Sequence, residues 1–139
     1  MVRREVASAR IARATAWLDD AEQIFNREAE AFVSAVKDRD LAVFYLFLAL
    51  QESIDLAAHW VADAGWGAPD DAGSTFDALA ERGAIARLLA DRLREGVGLW
   101  NRIAHGYALL DYHRVQSEAI RGIPAVRSFL DAVGREAGL

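Results

Sequence analysis

The sequence predicts an all-α fold, an antiparallel bundle of four to five helices. Three observations carry this. Apolar residues recur at spacings of three and four along most of the chain. Two prolines against 28 alanines in 139 residues favour helix over sheet. No stretch alternates polar and apolar residues long enough to build a sheet, and no internal repeat or low-complexity tract breaks the pattern. The length favours a single domain spanning residues 1–139.

The first helix should run from about Glu5 to Val36, along the stripe Ile11, Ala14, Leu18, Ala21, Phe25, Phe32 and Ala35, interrupted only by Glu28. Lys37-Asp38-Arg39-Asp40 reads as a connection, with Asp40 as N-cap of a second helix from Leu41 to Ala64. That helix opens with the apolar run Leu41 to Leu50. The run is about half of the ~20 residues that cross a bilayer, so it reads as a buried turn and not a membrane span. Gly65 to Asp71 then forms a loop holding two glycines and a proline. A short helix opens at Ser74 and stops at Gly83. The fourth helix covers Ile85 to Ala104, and a fifth follows Leu110-Asp111 to about Arg135, kinked or divided by Pro124.

At 53% hydrophobic and 27% charged, the chain can bury a core and is not of disordered composition. Zero cysteines exclude a disulfide framework, a thiol nucleophile and a cysteine-ligated zinc. With no secretory signal at the N-terminus, a cytoplasmic location is expected. The formal net charge of −5 argues against broad charge-driven binding of nucleic acid, and no DNA partner is expected. A local basic site remains compatible with it. Residues 1–90 hold 9 basic and 15 acidic side chains, whereas residues 91–139 hold 7 and 6, so the acidity belongs to the first helices.

The informative segment is Arg92 to Tyr107. At about 100° per residue, Arg94, Asn101, Arg102 and His105 fall within a sector of roughly 100°, with Gly98 between them and Trp100 pointing away. Two guanidinium groups, an amide and an imidazole on one helix face suit a phosphodiester. Arginine holds non-bridging oxygens in a forked geometry, and an imidazole, with an ordinary pKa of about 6.5, moves a proton. Gly96 and Gly98 each cost a helix roughly 1 kcal/mol relative to alanine. Close approach of another backbone or a ligand would offset this, most simply at a two-fold axis with a second copy. Asp55 and His59, one helical turn apart, are a possible metal pair, but no third strong ligand lies near them in the sequence.

Asn101-Arg-Ile-Ala-His105-Gly-Tyr107, followed by Leu110-Asp111 and a terminal helix, resembles the HepT-like branch of the HEPN superfamily. The resemblance extends over essentially the whole chain. It implies a small helical homodimer whose partner is a minimal nucleotidyltransferase antitoxin, and whose activity is that of a metal-independent endoribonuclease on RNA, with no cofactor. His105 would be the catalytic histidine, Asn101 the motif's asparagine, and Tyr107 the tyrosine that the nucleotidyltransferase modifies with AMP. The motif's arginine should stand at position 100, immediately before Asn101, and this sequence has Trp100 there. Arg102 would then take the phosphate role, with Arg94 as the other candidate. A member that keeps the fold and presents Tyr107 to its partner without cleaving RNA is the alternative, as is a toxin inactivated by the change to Trp100.

Overall fold

The computed structural model describes residues 3–139. Six α-helices follow one another: α1 (Arg4–Phe25), α2 (Ala29–Ser34), α3 (Val36–Asp63), α4 (Ala72–Glu81), α5 (Arg87–Gly106) and α6 (Tyr112–Glu136), with a 3-10 turn at Tyr107–Leu109. No strand occurs among the described residues. The four long helices α1, α3, α5 and α6 form the bundle. Cross-helix pairs fix their directions: Arg13 meets Glu52 at 2.7 Å and Arg27 meets Asp38 at 2.8 Å, so α3 returns antiparallel to α1. Arg102 bonds Glu118 and Arg121 faces Glu95, so α6 returns antiparallel to α5.

The predicted first helix is divided in two. Glu28, the residue that interrupts the apolar stripe, is the N-cap of α2, and its carboxylate accepts the backbone N–H groups of Glu30 and Ala31 at 3.1 Å. The carbonyls freed at the break are met from across the molecule. The buried Gln116 amide donates to the carbonyl oxygens of Phe25 and Arg27, both at 2.9 Å. The predicted connection at Lys37 to Asp40 is helical, because α3 already begins at Val36 and the turn occurs at Ala35. Asp40 therefore caps nothing. Arg39 instead reaches back to the Val33 carbonyl at 3.1 Å and lays its guanidinium 3.7 Å from the Tyr112 ring.

Asp71, not Ser74, caps α4, accepting the Ser74 N–H at 2.7 Å, which holds the Asp71 carboxyl below its ordinary pKa. Gly83 ends the short helix as expected, at φ +72° where a side chain is strained. The α5 helix starts two residues later than expected and runs on to Gly106. Pro124 neither divides nor ends α6. It lies on the exposed face, and Ile120, whose carbonyl loses its helical partner, is itself an exposed residue.

The core is built from Leu18, Phe25, Phe32, Leu46, Leu56, Phe76, Leu79 and Phe129, with Phe76 set edge-on to Phe129 at 5.2 Å. By length and composition α3 could cross a membrane, with a mean hydropathy of 1.5 over its most apolar stretch. It is also the helix on which all five others pack, so that apolarity lines the bundle interior.

Candidate functional site

The last two turns of α5, the 3-10 turn and the first turns of α6 enclose an open cleft of about 520 Å³. The local sequence explains its shape. Gly106 ends α5 at φ −140°, the chain makes one tight turn, and Asp111 restarts it as N-cap of α6 by accepting the Arg114 N–H at 3.2 Å. Asn101, Arg102 and His105 line the cleft from α5, and Arg114 lines it from α6. Asn101 and His105 are exposed. Arg102 is half-buried, folds back along the helix with a terminal nitrogen 3.8 Å from where a side chain at Gly98 would begin, and bonds Glu118. The same carboxylate accepts from Arg114 at 2.9 Å, so one anion holds two guanidinium groups at the cleft's edge.

The predicted face is therefore only partly assembled. Arg94 lies in a different depression, of about 350 Å³, with Trp100 and the start of α4. Its guanidinium bonds Asp77 and rests on Gly73, where a β-carbon would come within 3.1 Å. Asn101 borders both spaces. Trp100 turns to α3, stacking nearly parallel on Phe47 at 6.1 Å and donating its indole N–H to Gln51 at 3.2 Å. It is a fitted part of the α3–α5 contact. Gly96 also packs within the chain, since a β-carbon there would meet Leu50 at 3.1 Å. Gly98 has no such close neighbour.

Tyr107 is 44% exposed at the rim of the bundle. Partial burial, with the Asp40 carboxylate nearby, raises its phenol above the usual tyrosine pKa, so it is neutral near pH 7. Asp55 is engaged by Arg10 at 3.7 Å and by Gln51 at 3.1 Å, and His59 is exposed beside it. Among the described residues no group of three or more His, Asp or Glu side chains is arranged to hold a metal ion. Sequence reasoning missed Glu118 and Arg114. Their i, i+4 spacing on α6 was the available signal.

A family model described as "Ribonuclease HepT-like" matches residues 15–133. No curated protein sequence matches the chain. Among solved structures, a mutant MntA–HpeT toxin–antitoxin complex aligns at TM-score 0.84 and 22% identity, covering 94% of this chain and 98% of that one. A tri-AMPylated Shewanella oneidensis HEPN toxin in complex with an MNT antitoxin aligns at TM-score 0.84 and 22% identity, covering 94% and 97%. A toxin–antitoxin structure with AMP-PNP gives 0.82 and 22%, covering 92% and 97%. At this identity the structures establish the fold, and the family model, matched over most of the length, establishes the family: the chain belongs to the HepT-like ribonucleases.

Proposed function

We propose that this protein is the toxin of a toxin–antitoxin pair, an endoribonuclease acting through His105 and Arg102 and restrained by a minimal nucleotidyltransferase. The observation that carries the reading is the shared cleft of His105, Arg102 and Asn101 in a HepT-like chain. In the proposed reaction the ribose 2′-hydroxyl attacks the adjacent phosphorus, and the bond to the 5′-oxygen breaks. The imidazole takes the 2′-hydroxyl proton, and a proton returns to the leaving 5′-oxygen. Arg102 and Asn101 offer hydrogen bonds to the phosphate oxygens as negative charge develops there. DNA lacks the attacking hydroxyl and is not a substrate. A homodimer would bring two His105 side chains to one groove, supplying the base and the acid from different copies.

The proposed partner is supported by the neighbours, which are toxin–antitoxin complexes, one of them an AMPylated toxin with an MNT antitoxin. Tyr107 is the exposed phenol that would accept AMP: its oxygen attacks the α-phosphorus of ATP, pyrophosphate leaves, and the phenolic proton passes to a base of the partner.

The test is RNA cleavage by the purified chain beside His105→Ala, Arg102→Ala and Trp100→Arg. Cleavage should vanish with His105→Ala and fall roughly 100-fold or more with Arg102→Ala. Cleavage that survives His105→Ala overturns the mechanism. The second reading, a non-catalytic module that presents Tyr107, is favoured by one observation: Trp100 is packed where the motif arginine belongs, and Arg94 and Arg102 are each bonded to a carboxylate. It predicts no cleavage by any variant, together with a mass gain at Tyr107 after co-expression with the nucleotidyltransferase.

A further inference from the structure

Next to the His105 cleft, and sharing Arg102 and Arg114 with it, a groove of about 310 Å³ runs between α5 and α6. Its floor is apolar, built from Leu50, Leu99, Ile123 and Val126. Its rim is ionic and regular. At one end Glu118 holds Arg102 and Arg114, and at the other Glu95 lies 3.6 Å from Arg92 and 3.7 Å from Arg121. Seven residues of α5 separate the two ends, about 10 Å along the axis. Four guanidinium groups against two carboxylates leave the rim net positive. The Glu95 pairs are long and all three side chains are exposed by 43% or more, so an incoming anion displaces them at little cost. Gly98 and Gly122 keep the mouth open, and a β-carbon at Gly122 would meet nothing within 4 Å.

An apolar slot between two cationic ends suits a ligand that is flat and apolar in its middle and anionic on both sides. A nucleotide within a single strand has that form: its base stacks on apolar or guanidinium surface while the flanking phosphates meet arginines. A duplex does not, because its bases are stacked inside. We propose that this groove is a nucleotide subsite that seats an unstacked base of single-stranded RNA beside the His105 cleft, with its flanking phosphates on the two guanidinium pairs. The assignment rests on the nuclease reading for the identity of the strand, and it adds a determinant of which sequence is presented for cleavage. The continuity of groove and cleft through Arg102 and Arg114 sets the register: the seated base is a neighbour of the scissile phosphate.

The test uses the full chain carrying His105→Ala, so that RNA persists, and two labelled probes, a short oligouridylate and an abasic ribose-phosphate strand of equal length. The base-bearing strand should bind about tenfold tighter, the worth of one stacked base. Gly122→Leu fills the groove and replaces a weak helix former by a strong one, so the fold is retained. It should erase the preference for bases and leave abasic binding unchanged. Arg121→Glu should weaken both probes alike. Equal binding of the two probes by the parent overturns the subsite whatever the variants do. Gly122→Leu that instead dissociates a dimer, measured by sedimentation, also overturns it, because the groove is then a subunit contact.

Cleavage assays on the His105 chain separate the two proposals. RNA cleavage unaffected by Gly122→Leu removes the subsite and leaves the nuclease standing. A base preference that Gly122→Leu erases in a chain that never cleaves removes the nuclease and leaves the subsite.

Discussion

Glu118 is the carboxylate that pairs with both arginines of the proposed site, and Glu118→Gln isolates what it does. The carboxylate is largely buried, with 19% of its side chain exposed, and it bonds both Arg102 and Arg114. Glutamine keeps the shape and one acceptor oxygen but removes the charge. Hydrogen bonds to charged groups contribute roughly 1.5–3 kcal/mol when enclosed. Arg102 is 36% exposed at a cleft edge and Arg114 more so, so we expect a loss of only about 1 kcal/mol. The gain is on the RNA side.

Each guanidinium released to neutralise a phosphate steepens the dependence of log K on log salt by about 0.7 for a single strand. With one or two released, the slope steepens by roughly 0.7 to 1.4. Between 200 and 50 mM salt this is an extra strengthening of roughly 2.6- to 7-fold. The assay is fluorescence anisotropy of labelled single-stranded RNA across a salt series, on the His105→Ala background with and without Glu118→Gln, and with folding checked by circular dichroism. An unchanged slope in a folded variant would falsify the assignment of Arg102 and Arg114 to the phosphates. Arg102 would then be a structural partner of α6 and nothing more.

Four other outcomes follow from the packing. Trp100→Ala removes a half-buried indole, its stack on Phe47 and its bond to Gln51, and should cost about 2 kcal/mol in urea denaturation. A loss under about 0.5 kcal/mol would mean that the tryptophan is an unfitted replacement. Gln116→Leu leaves the Phe25 and Arg27 carbonyls unpaired and should cost about 2 kcal/mol, with faster amide exchange around Asn26. Gly83→Ala, at φ +72°, should cost about 1 kcal/mol by the same denaturation. The Tyr107 phenol is raised above 10.0, so the folded chain binds its proton more tightly than the unfolded chain does. That stabilisation is complete below the ordinary value and is lost as pH rises through the higher folded one. Ultraviolet titration should show a late-ionising tyrosine that Tyr107→Phe removes, together with part of the alkaline loss of stability.

How far the sequence foretold this molecule depends on what kind of signal each feature leaves. The long helices and Gly83 were legible because periodicity and a left-handed glycine are local properties. The break at Asn26 to Glu28 was marked by the one polar residue in the stripe. What makes it stable, the Gln116 amide, lies about 90 residues away and leaves no local trace. Charged Lys37 to Asp40 read as a connection because charge density resembles a loop, yet these residues are adequate helix formers once Arg39 finds Tyr112. At the site, the angular sector placed Asn101, Arg102 and His105 together correctly. Arg94 failed the same test because a long side chain goes where its counter-ion is, and Asp77 stands on another helix. No motif spacing carries that information.

The proposed site is confined to α5, the turn after it and α6, whereas α1 to α4 supply most of the core residues. On a ribosome, domains form in the order in which the chain emerges. The helices that give the bundle its bulk thus come out first, and Glu118, which holds Arg102 in place, comes out with Arg114 after His105 has left the tunnel. A nascent chain interrupted between His105 and α6 would carry the imidazole without its cleft. For a protein proposed to attack RNA, this delays the hazard until α6 has emerged, by which point Tyr107 is already displayed to the proposed partner.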